Sequence, residues 1–151
     1  MPNRSKPFAG TFRGENTSVA DMSEIPGRIS SVIAQLRTND LERTIRFYTE
    51  FLGFDLDFRH EDFYAGVSAG NSIVHLKLDD SDDPSIDYVK QGGHFHLYIE
   101  TPDAAAVAEA LEKKGIELTD KVHETAWGTK EFVVEDDQGH TIYFGQRVTQ
   151  K

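Results

Sequence analysis

The sequence predicts an α+β fold of two βαβββ modules, each an amphipathic helix laid on one face of a small sheet. Three observations predict it: an internal repeat, a two-residue alternation in the strand segments, and turn-forming residues at the joints. The stretch LRTNDLERTIRFYTEFLGFDL begins at Leu36, and LYIETPDAAAVAEALEKKGIEL begins at Leu97. Both run strand, Thr, Asp, helix, Gly, strand. Asp40 matches Asp103, Gly53 matches Gly115 and Leu56 matches Leu118, with one residue of slippage inside the helix.

Each element has a local cause. In the first helix Leu41, Ile45, Tyr48 and Leu52 fall on one face. Asn39 with Glu42 resembles a capping box, and Gly53 supplies the left-handed stop. Strands are expected at 54–59, 63–69 and 72–78, the last two joined by a hairpin turn at Gly70 and Asn71. Residues 80–92, with DDSDDPS and QGG at the borders, read as a linker between modules 29–79 and 93–148. In the second helix Thr101 is the expected cap, Pro102 takes the first position, and Ala104, Val107 and Leu111 form a thinner stripe closed by Gly115. Strands then follow at 116–122, 130–135 and 140–148.

Alternation assigns the strand faces. Val74, Leu76 and Leu78 oppose Ile73, His75 and Lys77; Phe95, Leu97 and Ile99 oppose His94, His96 and Tyr98; Ile142 and Phe144 oppose Thr141, Tyr143 and Arg147. Each sheet thus offers an oily face to its helix and a face of His, Tyr and charge to a ligand.

Composition narrows the function. With no cysteine, disulfide scaffolds, thiol nucleophiles and cysteine zinc sites are excluded. A net charge of −10 disfavours nucleic-acid binding and attracts cations. No apolar run reaches the ~18 residues of a membrane span, and residues 1–28 read as a polar, flexible arm in which Met22 is a second candidate start. The expected location is the cytoplasm.

The run from Leu36 to Phe54, with Asp40, Thr44, Phe47-Tyr48 and Leu52-Gly53-Phe54, and the closing run WGTKEFVVEDDQGHTIYF from Trp127 to Phe144 resemble the signatures of the vicinal oxygen chelate superfamily, which spans glyoxalases, dioxygenases and bleomycin-resistance proteins. The resemblance covers about residues 29–148. It implies an open, U-shaped sheet around a cleft, helices on the outer face, and a homodimer whose clefts draw on both chains. Enzymes of the superfamily hold a divalent metal with four side chains. Those positions fall here on Ile33, His75, His96 and Tyr143, so two plausible ligands remain where a catalytic zinc ordinarily wants three. Gln35 and Glu131 are the residues that could approach the cleft and complete a non-standard metal site.

The resemblance therefore implies a metal-free binding protein of the bleomycin-resistance type, sequestering a small aromatic molecule, with a cation the form its acidic field favours. Phe58, His75, His96, Trp127 and Tyr143 are the candidate lining residues, with Phe58 and Trp127 in the places of the family's stacking aromatics. The alternative is a metal-dependent lyase or dioxygenase holding one divalent ion with His75 and His96. A third reading is a regulatory member with an unrelated ligand.

Overall fold

The computed structural model describes residues 24–148, and the chain divides into two compact units, 1–32 and 33–151. Of the first unit, residues 24–32 are described and carry one 3₁₀ turn, Pro26–Arg28. The expected flexible arm and the start at Met22 otherwise lie outside the described residues.

The second unit holds the repeat. β1 (Ile33–Thr38), α1 (Leu41–Arg46, continued by a π-helical turn over Phe47–Phe51), β2 (Asp55–His60), β3 (Tyr64–Ala69) and β4 (Ser72–Leu78) form the first module. A helix, α2 (Pro84–Gly92), connects it to β5 (Leu97–Glu100), α3 (Ala104–Lys113), β6 (Asp120–Glu124), β7 (Thr129–Glu135) and β8 (Thr141–Arg147). The strand orders are β1-β4-β3-β2 and β5-β8-β7-β6. In each sheet the first and last strands pair in parallel, and the other pairs are antiparallel. Both sheets are open, as the α+β expectation requires. Among the described residues no helix is long and apolar enough to cross a membrane.

The helices pack where alternation places the oily faces. Leu36, Ala65, Val67, Val74 and Leu76 meet Leu41, Ile45 and Tyr48; Phe132, Val134, Ile142 and Phe144 join Ala104, Ala108 and Leu111 in the same continuous cluster. Phe132 and Phe144 stack at 4.9 Å. Each large side chain buried this way contributes about 1.5–3 kcal/mol.

Several local expectations shift. Asp40 caps α1, its side chain accepting from the Arg43 N–H at 3.1 Å, where Asn39 was expected. Asp103 caps α3 by the same bond from Ala106, displacing Thr101. In both cases a threonine two residues earlier, Thr38 or Thr101, accepts the cap's own N–H, so the carboxylate is fixed before the helix starts. The expected linker is largely the helix α2: Asp83 caps it through the Ser85 N–H, Pro84 takes its first turn, and Gly93 ends it at φ +73°. The acidic run masks a cap that an Asp-Pro-Ser sequence encodes. β6 starts four residues later than expected.

The π-helical turn explains the slippage between the repeats. Asp40 to Gly53 spans thirteen steps and Asp103 to Gly115 twelve, and the extra residue is absorbed in the widened turn. That turn carries Tyr48, fully buried, whose hydroxyl donates to Asp136 Oδ2 at 2.8 Å across the module boundary.

Asp136 belongs to a buried polar chain. His140 meets Asp136 through Nδ1 at 2.8 Å and Asp83 through Nε2 at 3.2 Å. Ser85 Oγ donates to Asp83 and lies 3.0 Å from His96 Nε2. Burial alone would push His140 down, but the two carboxylates override it and hold its pKa above the ordinary value. Asp83 is likewise held low by Ser85 and His140 despite burial. The inter-module helix, the β7–β8 turn and α1 are thus joined by one charged chain.

Candidate functional site

With the helices covering one side of each sheet, the opposite sides remain open, and each carries an aromatic cluster built around a glycine.

On the first sheet the cluster is Phe58, Tyr64, His75 and Gln35. β3 and β4 pair with Gly66 opposite His75, and β2 brings Phe58 opposite Gly66. A Cβ on Gly66 would collide with the Phe58 ring, so the glycine lets that ring lie down on the sheet. Phe58 then meets His75 edge to face at 5.2 Å and Tyr64 in a stack at 6.1 Å. Gln35 Nε2 donates to the Tyr64 hydroxyl at 3.0 Å, and that hydroxyl lies 2.9 Å from His75 Nδ1. This chain holds the imidazole through Nδ1, and Nε2 takes no hydrogen bond among the described residues. Phe58 remains 41% exposed, so its stacking surface is available.

On the second sheet the cluster is Phe95, Tyr98 and Tyr143. Phe95 lies 5.4 Å from Tyr98 and 5.2 Å from Tyr143. A Cβ on Gly145 would run into the Tyr98 phenol, which lies across the glycine to donate to Glu131 Oε2 at 2.7 Å. Thr129 Oγ1 donates to the same oxygen at 2.9 Å. Burial, then the Glu131 bond and charge, push Tyr98 up to about 12, so it stays a neutral donor. The Tyr143 hydroxyl donates to the Gly93 carbonyl at 3.3 Å.

Of the five residues singled out in the sequence, Phe58 and His75 come together, and Tyr143 stands on the other sheet. His96 departs from the alternation. Regular pairing with β8 begins only at Leu97, after the left-handed Gly93, so the chain before it is free to turn. The His96 ring therefore meets His140 at 4.7 Å, and Nδ1 accepts the Thr141 N–H at 3.0 Å. Phe95, expected on the oily side, takes the place beside Tyr98 and Tyr143. Burial first, then the His140 charge, lower the His96 pKa and keep the ring neutral. Trp127 sits in the turn before β7, is 73% exposed, and is joined to neither cluster by a ring contact. The reasoning from sequence left out Phe95 and gave no role to Tyr98; glycines inside β3 and β8 were the available signal.

A divalent metal does not fit these residues. Both His96 nitrogens are engaged, His75 Nδ1 is taken by Tyr64, and among the described residues no group of three His, Asp or Glu side chains is arranged to hold a metal ion. A separate hollow of about 410 Å³ lies at the module junction, lined by Arg37, Asp79, Asp82, Asp83, Asp87 and Gln138 among others. Arg37 bridges Asp79 and Asp83 there.

Residues 28–144 match the family model described as Glyoxalase/Bleomycin resistance protein/Dioxygenase superfamily. No curated protein matches the sequence. Among solved structures, the bleomycin-binding protein of Streptomyces verticillus in complex with copper(II)-bleomycin is similar, with TM-score 0.60 and 22% identity over 82% of this chain and 98% of that one. The antibiotic-binding protein TnmS3 of Streptomyces sp. CB03234 aligns at TM-score 0.60 and 24% identity, covering 80% and 98%. The lactoylglutathione lyase of Agrobacterium tumefaciens aligns at 0.62 and 16%, covering 78% and 94%. At these identities the likeness is one of fold.

Proposed function

The chain belongs to the Glyoxalase/Bleomycin resistance protein/Dioxygenase superfamily, and from that premise we propose that it is a metal-independent binding protein for a small aromatic organic molecule. The observation that carries this reading is the pair of open faces, each a ring cluster settled on a glycine where a metalloenzyme would present ligands. A flat ligand would stack on Phe58 and take a hydrogen bond from His75 Nε2–H, the tautomer selected when Gln35 donates to Tyr64 and Tyr64 to Nδ1.

Among the described residues no side-chain hydrogen bond joins the two clusters. The bonds that cross between modules run instead from α1 and its turn to the β7–β8 turn and to Lys114. We read each cluster as half a cleft, with a second chain supplying the other half. The exposed Trp127 would stand at the border of such a pairing. Sequestration needs nothing beyond tight, reversible binding, and similar proteins bear names that describe antibiotic binding.

The test is a titration of chelator-treated protein with flat aromatic dyes, followed through Trp127 fluorescence and calorimetry. Binding should survive chelation, weaken about tenfold in Phe58→Ala, the loss expected for one stacking contact, and weaken less in His75→Ala. Stoichiometric, tight metal uptake abolished by His75→Ala, together with catalytic turnover, would overturn the reading.

A further inference from the structure

Glu131 is set apart from the other acidic residues of the chain. It is 5% exposed, yet it sits on the ligand-facing side of β7, opposite Gly145. The buried Asp136 has His140 as its cation, and Asp79 and Asp83 have Arg37. Among the described residues Glu131 forms no ion pair: Arg147 pairs with Glu100, the cross-strand partner His123 turns to the Lys121 carbonyl and Asp120, and both donors to Glu131 are hydroxyls. Both reach Oε2. A carboxylate has about four acceptor positions, and Oε1 takes no hydrogen bond among the described residues yet is not sealed from solvent.

A nearly buried carboxylate without a countercharge is costly to maintain. The chain has nonetheless shaped itself around it: Gly145 gives up a side chain so that the Tyr98 phenol can cross and reach Glu131. The rings of Phe95 and Tyr143 extend the same face, and ring faces attract cations.

We propose that Glu131, with the Tyr98, Phe95 and Tyr143 rings, is a subsite for an organic cation of the ammonium or amidinium class. It deepens the binding function proposed above and rests on it. Glu131 supplies the countercharge, Tyr98 and Thr129 hold one oxygen, and the other meets the incoming group.

The test compares two probes of one shape on the full chain: N-methylacridinium, a fixed cation, and acridine, neutral at mildly alkaline pH. Wild-type protein is expected to bind the cation about tenfold more tightly. Glu131→Gln keeps an oxygen for Tyr98 and Thr129 but loses the charge, and should erase that preference while retaining acridine binding. Tyr98→Phe keeps the ring and the carboxylate but loses one of the two bonds that hold Oε2, and should reduce the preference only in part. Equal binding of the two probes by wild-type protein, or a preference untouched by Glu131→Gln, overturns the subsite and leaves the binding function standing. A preference lost in Tyr98→Phe as fully as in Glu131→Gln also overturns it. Binding of neither probe overturns both proposals.

Discussion

At the scale of single residues, His140 and His96 titrate in opposite senses although their rings touch. His140, held above its ordinary pKa, contributes stability that is complete below the unfolded value of about 6.5 and is lost as pH rises through its raised folded value. His96, held below, contributes stability that is present above about 6.5 and is lost as pH falls through its lowered value. The urea midpoint is therefore expected to peak near pH 6.5. His140→Gln should remove the alkaline descent, and His96→Gln the acidic one. A flat profile between the two limbs would sink this account. Tyr48→Phe removes a buried donor from Asp136 and is expected to cost about 1–3 kcal/mol, read from the same unfolding curves.

At the scale of elements, the glycines under the ring clusters govern the site more than the fold. Gly66→Ala puts a methyl group where the Phe58 ring lies, on a half-exposed face that can let the ring lift. It should lower ligand affinity at least as much as Phe58→Ala, with the unfolding transition little changed; unchanged affinity would show that Phe58 is not a contact. The elements themselves were largely legible, because amphipathic period and alternation report burial, and burial builds these sheets. The helix α2 was hidden because its cap and its acidic neighbours are the same residues. Within the candidate site, alternation assigned His75 and Tyr143 to the faces away from the helices, whereas Phe58 was legible only through the family resemblance. His96 and Phe95 exchanged sides because alternation binds only paired residues, and pairing starts at Leu97. Glu131 was legible only as a residue that could complete a metal site, since no pattern in β7 announces that Tyr98 reaches it from two strands away.

At the scale of the whole molecule, the half-clefts proposed above predict assembly. Sedimentation should give a homodimer, and ligand should shift a dilute sample further toward it; a monomer that binds ligand at full affinity would place the cleft within one chain. The two modules repeat one topology, and almost every feature has its counterpart: cap, helix, left-handed glycine, parallel closing strand. The π-helical turn at Phe47–Phe51 is where that symmetry is broken, by one residue. Without it, a register difference would have to travel into β2 and turn every side chain there to the wrong face. Confined to one widened turn, it goes no further. Restoring perfect symmetry by deleting Thr49 would swing the residues beyond by about 100° around the helix axis, breaking the turn that aims Tyr48 at Asp136. The copy that departs from its twin is thus the one that fastens the pair together.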